Sequence, residues 1–252
     1  MKNAVRNEFR KLLYHKKYIV LLIIGTLLGL AWSLLGRVVY TTVSTVIGWN
    51  LSGVDFNTVP TTSLSFFAQF YLPLMIFMAV TDLFSAEYSD QTIKFSLMRP
   101  ITRLKLYTAK IAAILVYCAG FLAVVLAVTL AAGIIVGGVD SFGVAFRSLL
   151  GFVVTLVPLG VLCCYAALIA QFIKSGSLLM FALIFSVIML TVVPILFPIS
   201  PDVLFTGHLG WYTLFTGVMP GFWRTVNIVA VLLSSGAVFY LGGTMLFDRK
   251  DF

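Results

Sequence analysis

Six stretches of this chain run for about 20 residues without an Asp, Glu, Lys or Arg, which is the length a helix needs to cross a hydrocarbon core of about 30 Å. They are residues 18–36, 63–80, 111–136, 149–172, 175–196 and 225–246. Continuous apolar runs favour helices over a barrel, whose strands alternate apolar and polar residues. Composition agrees: the 252 residues are 61% hydrophobic and 10% charged, and a soluble domain of this length needs far more charged surface than that. The first run follows a basic tail as a secretory signal would. At 19 residues, with no small-x-small cleavage pattern at its end, it is expected to stay as an anchor.

The net charge of +8 reports topology rather than affinity for nucleic acid, because the few charges are placed so unevenly. Fourteen of the 17 basic residues fall in the tail, in the segment 85–110, at Lys174 and at the C-terminal end; only Arg37, Arg147 and Arg224 fall on the other side. An even number of spans with this bias puts both termini in the cytoplasm of a multi-pass plasma-membrane protein.

Several function classes lose support. The six runs hold no ionisable residue, and the nearest, Asp82 and Lys174, sit at the cytoplasmic edge, which disfavours a proton- or sodium-coupled carrier. No Gly-Lys pair occurs, so the chain lacks a phosphate-cradling G-x-x-x-x-G-K-[ST] loop and any ATP and Mg would belong to another chain. Neither H-E-x-x-H nor G-x-S-x-G is present, and His15 and His208 fall on opposite sides of the membrane. Cys118, Cys163 and Cys164 all lie inside runs, where small packing residues are the plainer reading. Pro73, Pro158 and Pro194 interrupt runs and are expected to kink them.

Two segments carry pattern. In the tail, residues 1–17, Val5, Phe9, Leu12 and Leu13 share a helical stripe, with Arg6 and Arg10 displaced from it. Such a helix suits the inner membrane surface, apolar face to lipid and basic face to anionic headgroups; a plain topogenic basic tail is the alternative. In the segment 85–110 acidic residues come first and basic residues last, a charge order that favours a short helix, and Arg99-Pro100 should end it. Ile93, Leu97 and Met98 then share a face beside Lys94, to be covered by lipid headgroups or by a protein partner. The segment 197–224, expected outside the cell, carries Trp211, Tyr212, Phe215, Phe222 and Trp223, read as interface aromatics or, less simply, as a gate.

At these residues the sequence resembles the membrane subunits of ATP-binding-cassette exporters, the type-2 permease family. The resemblance rests on Glu87, on Gln91-Thr92 where the family usually has Gly-Thr, on the short helix 93–98, on Arg99-Pro100 and Arg103, and on Lys110 at the start of the third span. The basic tail, the six spans and the ending Phe247-Asp248-Arg249-Lys250-Asp251 are similar too. The resemblance implies an all-α integral membrane protein with an N-terminal interfacial helix and a cytoplasmic coupling helix in one permease domain, 1–252. It also implies a non-catalytic subunit that forms a homodimer or a heterodimer with a second permease, and that docks an ABC ATP-binding subunit through residues 87–103. The expected cargo is an amphipathic peptide, drug or lipid-like molecule. An ion-coupled carrier and an ATPase-free scaffold or sensor remain the alternatives.

Overall fold

The structure, a computed structural model, describes residues 1–46, 59–87, 102–136, 142–196, 204–212 and 222–249. A short helix α1 (Lys2–Tyr14) is followed by α2 (Lys16–Val46). A long rod, α3, occupies residues 59–86, and α4 (Arg103–Val136), α5 (Phe142–Ile169), α6 (Gly176–Leu196) and α7 (Phe222–Arg249) complete the bundle. The six helices α2 to α7 are each long and apolar enough to cross a membrane.

Burial divides them into inner and outer helices. The α3 span is 61% buried, whereas that of α6 is 11% buried. A stripe at intervals of three and four runs down α4 through Tyr107, Ile111, Ile114, Cys118, Phe121 and Val125, all buried. It packs with Phe67, Leu72, Met75, Ile76, Val80 and Phe84 of α3 and with Leu159, Leu162, Cys163 and Ala166 of α5 in one core. The outer helices α2 and α6 keep large apolar residues exposed, among them Ile19, Ile23, Leu27, Phe181, Phe185 and Ile188. Lipid is as apolar as these side chains, so exposing them costs little and close packing must hold the helices together.

The rod α3 is not a uniform α-helix. It passes through two π-helical stretches, Phe67–Tyr71 and Thr81–Ala86. Pro73 explains the first: its ring would crowd the carbonyl four residues back, and a wider turn relieves that clash. Leu72 N–H accordingly donates to Phe67 O, five residues back. The proline is absorbed inside a continuous rod, and Pro158 and Pro194 likewise remain within α5 and α6.

Two tyrosines stitch α2 to the inner helices. Tyr71 of α3 donates its hydroxyl to Leu21 O, and Tyr117 of α4 donates to Tyr18 O at 2.7 Å. Where water is absent, such cross-helix bonds spare a polar group from being stranded. Tyr71 also stacks on Phe121, with ring centroids 5.3 Å apart. That stack lies flat against the backbone of α2 at Gly25, where an added Cβ would come within 2.6 Å of Phe121 Cζ and 2.9 Å of Tyr71 Cε1.

Replacing Gly25 by Ala should therefore force rings apart and destabilise the protein by about 1–3 kcal/mol. Gly120→Ala, whose Cβ meets nothing within 4 Å, should be neutral or slightly stabilising. Thermal unfolding of the two variants in detergent measures the contrast.

Candidate coupling site at the charged end of the bundle

The loop that the sequence marks as functional leaves α3 at Glu87 and rejoins the bundle at the start of α4, where Arg103 is the first residue. Gln91, Thr92, Ile93, Lys94, Leu97, Met98, Arg99 and Pro100 lie outside the described residues. Both ends of the loop are pinned. At the far end, Arg103 donates through Nη1 to the carbonyl of Asp248 on α7 at 2.6 Å. At the near end, Glu87 belongs to a closed ring of four charges.

The ring runs through three helices. Lys11 Nζ lies 2.8 Å from Glu8 Oε1 and 2.8 Å from Glu87 Oε1. Lys110 Nζ lies 2.6 Å from Glu87 Oε2 and 3.3 Å from Glu8 Oε2. Each carboxylate thus spends one oxygen on each lysine, and the four charges sum to zero. The Lys110 side chain is fully buried, and its third hydrogen bond goes to Leu83 O at 2.7 Å. At the end of α3, Glu87 N–H closes a tight turn onto Phe84 O, three residues back, rather than onto Leu83 O, its partner in a regular α-helix. Phe84 presents its ring to the same ammonium, 5.6 Å from the centroid.

Burial penalises all these charges, and the geometry offsets the penalty. For Glu87, burial pushes the carboxyl up, but Lys110 and Lys11, each also donating a hydrogen bond, more than offset that and hold it below the usual carboxylate range. For Lys11, burial works to lower the value, and Glu8 and Glu87 overcome it, so the ammonium is held above the ordinary lysine value.

A second latch sits beside the ring. Asp82 of α3 accepts from Lys17 Nζ at 2.7 Å and from the hydroxyl of Tyr18, both at the start of α2. Ser85 donates to Lys174 O at 2.6 Å and so holds the connection between α5 and α6. The tail, the loop exit, the α5–α6 turn and the end of α7 are therefore tied to one end of the bundle. A push on the loop at residue 87 or 103 would reach α1, α4 and α7 through direct polar contacts rather than through compliant lipid-facing surface.

The structure refines the tail. The helix ends at Tyr14, with His15 in extended backbone, and α2 begins at Lys16, so residues 1–17 do not form one helix. Its inward face is Ala4, Glu8 and Leu12, with Val5 and Phe9 half-buried at the flanks. Leu13, Arg6 and Arg10 are exposed, so Leu13 does not share the covered face with Leu12. Asp82 and Lys110 are carried on the helical rods of the second and third spans rather than on free loops. Of the expected site residues, Glu87 sits in the ring and Arg103, at the start of α4, bonds to α7; the ring members Glu8 and Lys11 and the latch residues Lys17 and Tyr18 are not singled out by the sequence. A signal for Glu8 existed: it is the only acidic residue in the first 50, three residues from Lys11 on the α1 face that carries Ala4 and Leu12.

Trp211 and Tyr212 are buried, whereas Phe222 and Trp223 at the start of α7 are exposed. The aromatic-rich segment is thus split between a folded-in plug, which includes Phe205 packed on Tyr165 and Phe239, and a pair placed as interface residues usually are.

The described residues thus form an all-helical, multi-pass membrane bundle with a charged, cross-linked end around one loop. A sequence profile of ABC-2 family transporter proteins matches residues 4–196, which take in α1 to α6. The chain belongs to that family and is the permease component of an ABC transporter. The family is generally non-catalytic and implies an ABC ATP-binding partner. No curated protein matches the chain.

Removing one ring member strands its partners. Lys110→Met should cost on the order of 3–5 kcal/mol, and adding Glu87→Gln, which leaves the neutral Glu8–Lys11 pair, should recover much of that loss in detergent melts. A lowered carboxyl contributes stability above its ordinary range and loses it as pH falls through the lowered value. A raised ammonium contributes below its ordinary value and loses it as pH rises through the raised one. Docking of α1, read as protection of its amides from hydrogen exchange, should be flat from about pH 5 to about pH 9 and fall at both extremes.

Proposed function

We propose that this chain is the membrane half of an ABC exporter, working in the plasma membrane with both termini cytoplasmic. It pairs with a second copy or a related permease and moves an amphipathic peptide, drug or lipid-like molecule outward. ATP and Mg act on the partner ATPase, which seats the loop helix 93–98 in a groove. The single observation that supports this reading most is the electrostatic ring, which fixes the loop exit to α1 and α4. A loop that only connected two spans would have no need of such anchoring. The distribution of basic residues supports the orientation, since the ring, Lys17, Lys174 and Arg103 all lie on the side richer in Lys and Arg.

In this mechanism, closure of the ATPase dimer pushes on the loop helix. Glu87 and Arg103, at the two ends of the loop, pass the displacement to the tail helix and to α7. Cargo specificity comes from span faces exposed in the isolated chain, where the apolar sides of α2 and α6 are available to a second permease and to amphipathic molecules.

Leu97→Asp combined with Met98→Asp should leave membrane insertion intact and abolish co-purification with the ATPase and transport together. Co-purification and transport at wild-type levels would overturn the coupling assignment.

A further inference from the structure

Three side-chain amides lie within the six uncharged runs, Gln69, Gln171 and Asn227, and two of them are readily accommodated. Gln171 is buried and donates to Ala167 O of its own helix at 2.9 Å. Asn227 is the third residue of its run, close to the membrane surface. Gln69 has neither outlet. It stands six residues into the run 63–80, about 9 Å along the rod at about 1.5 Å per residue, and it is exposed. Among the described residues, none hydrogen-bonds its side chain. Gly210 passes beside it, where a Cβ would sit 3.5 Å from Gln69 Nε2, and glycine has no side chain to offer.

The surroundings narrow what covers this amide. Phe66 and Phe70, one turn apart, are 38% and 58% exposed and flank Gln69, so this face of the most buried span stands open rather than sunk between neighbours. Exposed hydroxyls elsewhere on the spans, at Thr191 and Ser234, turn back onto carbonyls of their own helices, and lipid can cover them. The exposed leucines, isoleucines and phenylalanines of α2 and α6 likewise need only hydrocarbon. Gln69 presents two donors and an acceptor that acyl chains cannot answer. Its cover must bring both a donor and an acceptor to the same depth, between aromatic rings. A second copy of the chain, related by a two-fold axis, brings that very group: the carbonyl oxygen of each amide accepts from the N–H of the other.

We propose that the face of α3 formed by Phe66, Gln69 and Phe70 is the seam between two copies of this chain. The two Gln69 amides pair across the axis, and the phenylalanine rings pack around them. The rod α3 runs from this seam to Glu87, so one continuous element links the contact between copies to the charged ring. The inference rests on the pairing of permease chains proposed above, and it specifies a homodimer and its face.

The test uses the full chain in native membranes and in mild detergent. Oxidation with copper phenanthroline should give a dimer-sized product from Gln69→Cys. It should give none from Leu233→Cys on the exposed side of α7, or from the wild-type chain, whose Cys118 and Cys163 are buried and Cys164 half-buried. Gln69→Leu should dimerise about tenfold more weakly in a detergent dilution series while staying helical and free of aggregates, and Gln69→Asn, which keeps donor and acceptor, should recover most of that loss. A monomeric wild-type chain, or Gln69→Leu dimerising as tightly as wild type, would overturn the seam. A wild-type dimer in which Gln69→Cys gives no more product than Leu233→Cys would overturn it while leaving permease pairing intact. Loss of transport by Gln69→Leu at unchanged dimer affinity would overturn it in favour of a cargo contact.

Discussion

Four charges that neutralise one another at a site where one of them is wholly shut off from water set the architecture at one end of this bundle. An unpaired Lys110 at that depth would be expensive, and an unpaired carboxylate no less so. The arrangement answers both costs by sharing: two acids, two bases, and every carboxylate oxygen assigned. Because the members come from α1, the end of α3 and α4, satisfying the charges and assembling the helices are the same event. Attraction between opposite charges thereby does here what close packing and cross-helix hydrogen bonds do elsewhere in the fold.

Along the spans a different principle holds. With lipid outside, burying a leucine gains little, so the helices are held by close approach and by hydrogen bonds that lipid cannot replace. The Tyr71–Phe121 stack against Gly25 is an instance of the first, and the tyrosine hydroxyls donating into the backbone of α2 are instances of the second. The π stretches of α3 lie close to contacts of this kind. The first widens the turn around Pro73 on the stretch that carries Tyr71, and the second leads into the end of α3, where Leu83 O accepts from Lys110.

The spans were legible because a run free of charge over about 20 residues has few other meanings. The family was legible from Glu87, Arg99-Pro100, Arg103 and Lys110, whose order along the chain is a local pattern. The ring was not, because Glu8 and Lys11 meet Lys110 and Glu87 across separations of 102 and 76 residues, and no periodicity reports a contact at that range. The tail misled for a physical reason. An apolar stripe at Val5, Phe9, Leu12 and Leu13 suggests lipid as the cover, whereas the buried face is centred on an acid that gains more from two lysines than from water. Helix ends were also hidden: α4 begins eight residues before its uncharged run, since charged first turns are readily solvated and hydropathy alone cannot see them.

The separations within the ring also impose an order on biogenesis. Glu8 leaves the ribosome about 100 residues ahead of Lys110, a wait on the order of 5–20 s at about 5–20 residues per second. During that interval α1 has only its own i, i+3 pair, Glu8 with Lys11, to neutralise its inner face. The nascent amino-terminal helix must therefore bide at the membrane surface as a self-neutralised element, and its final seating waits until the third span has been threaded into the bilayer.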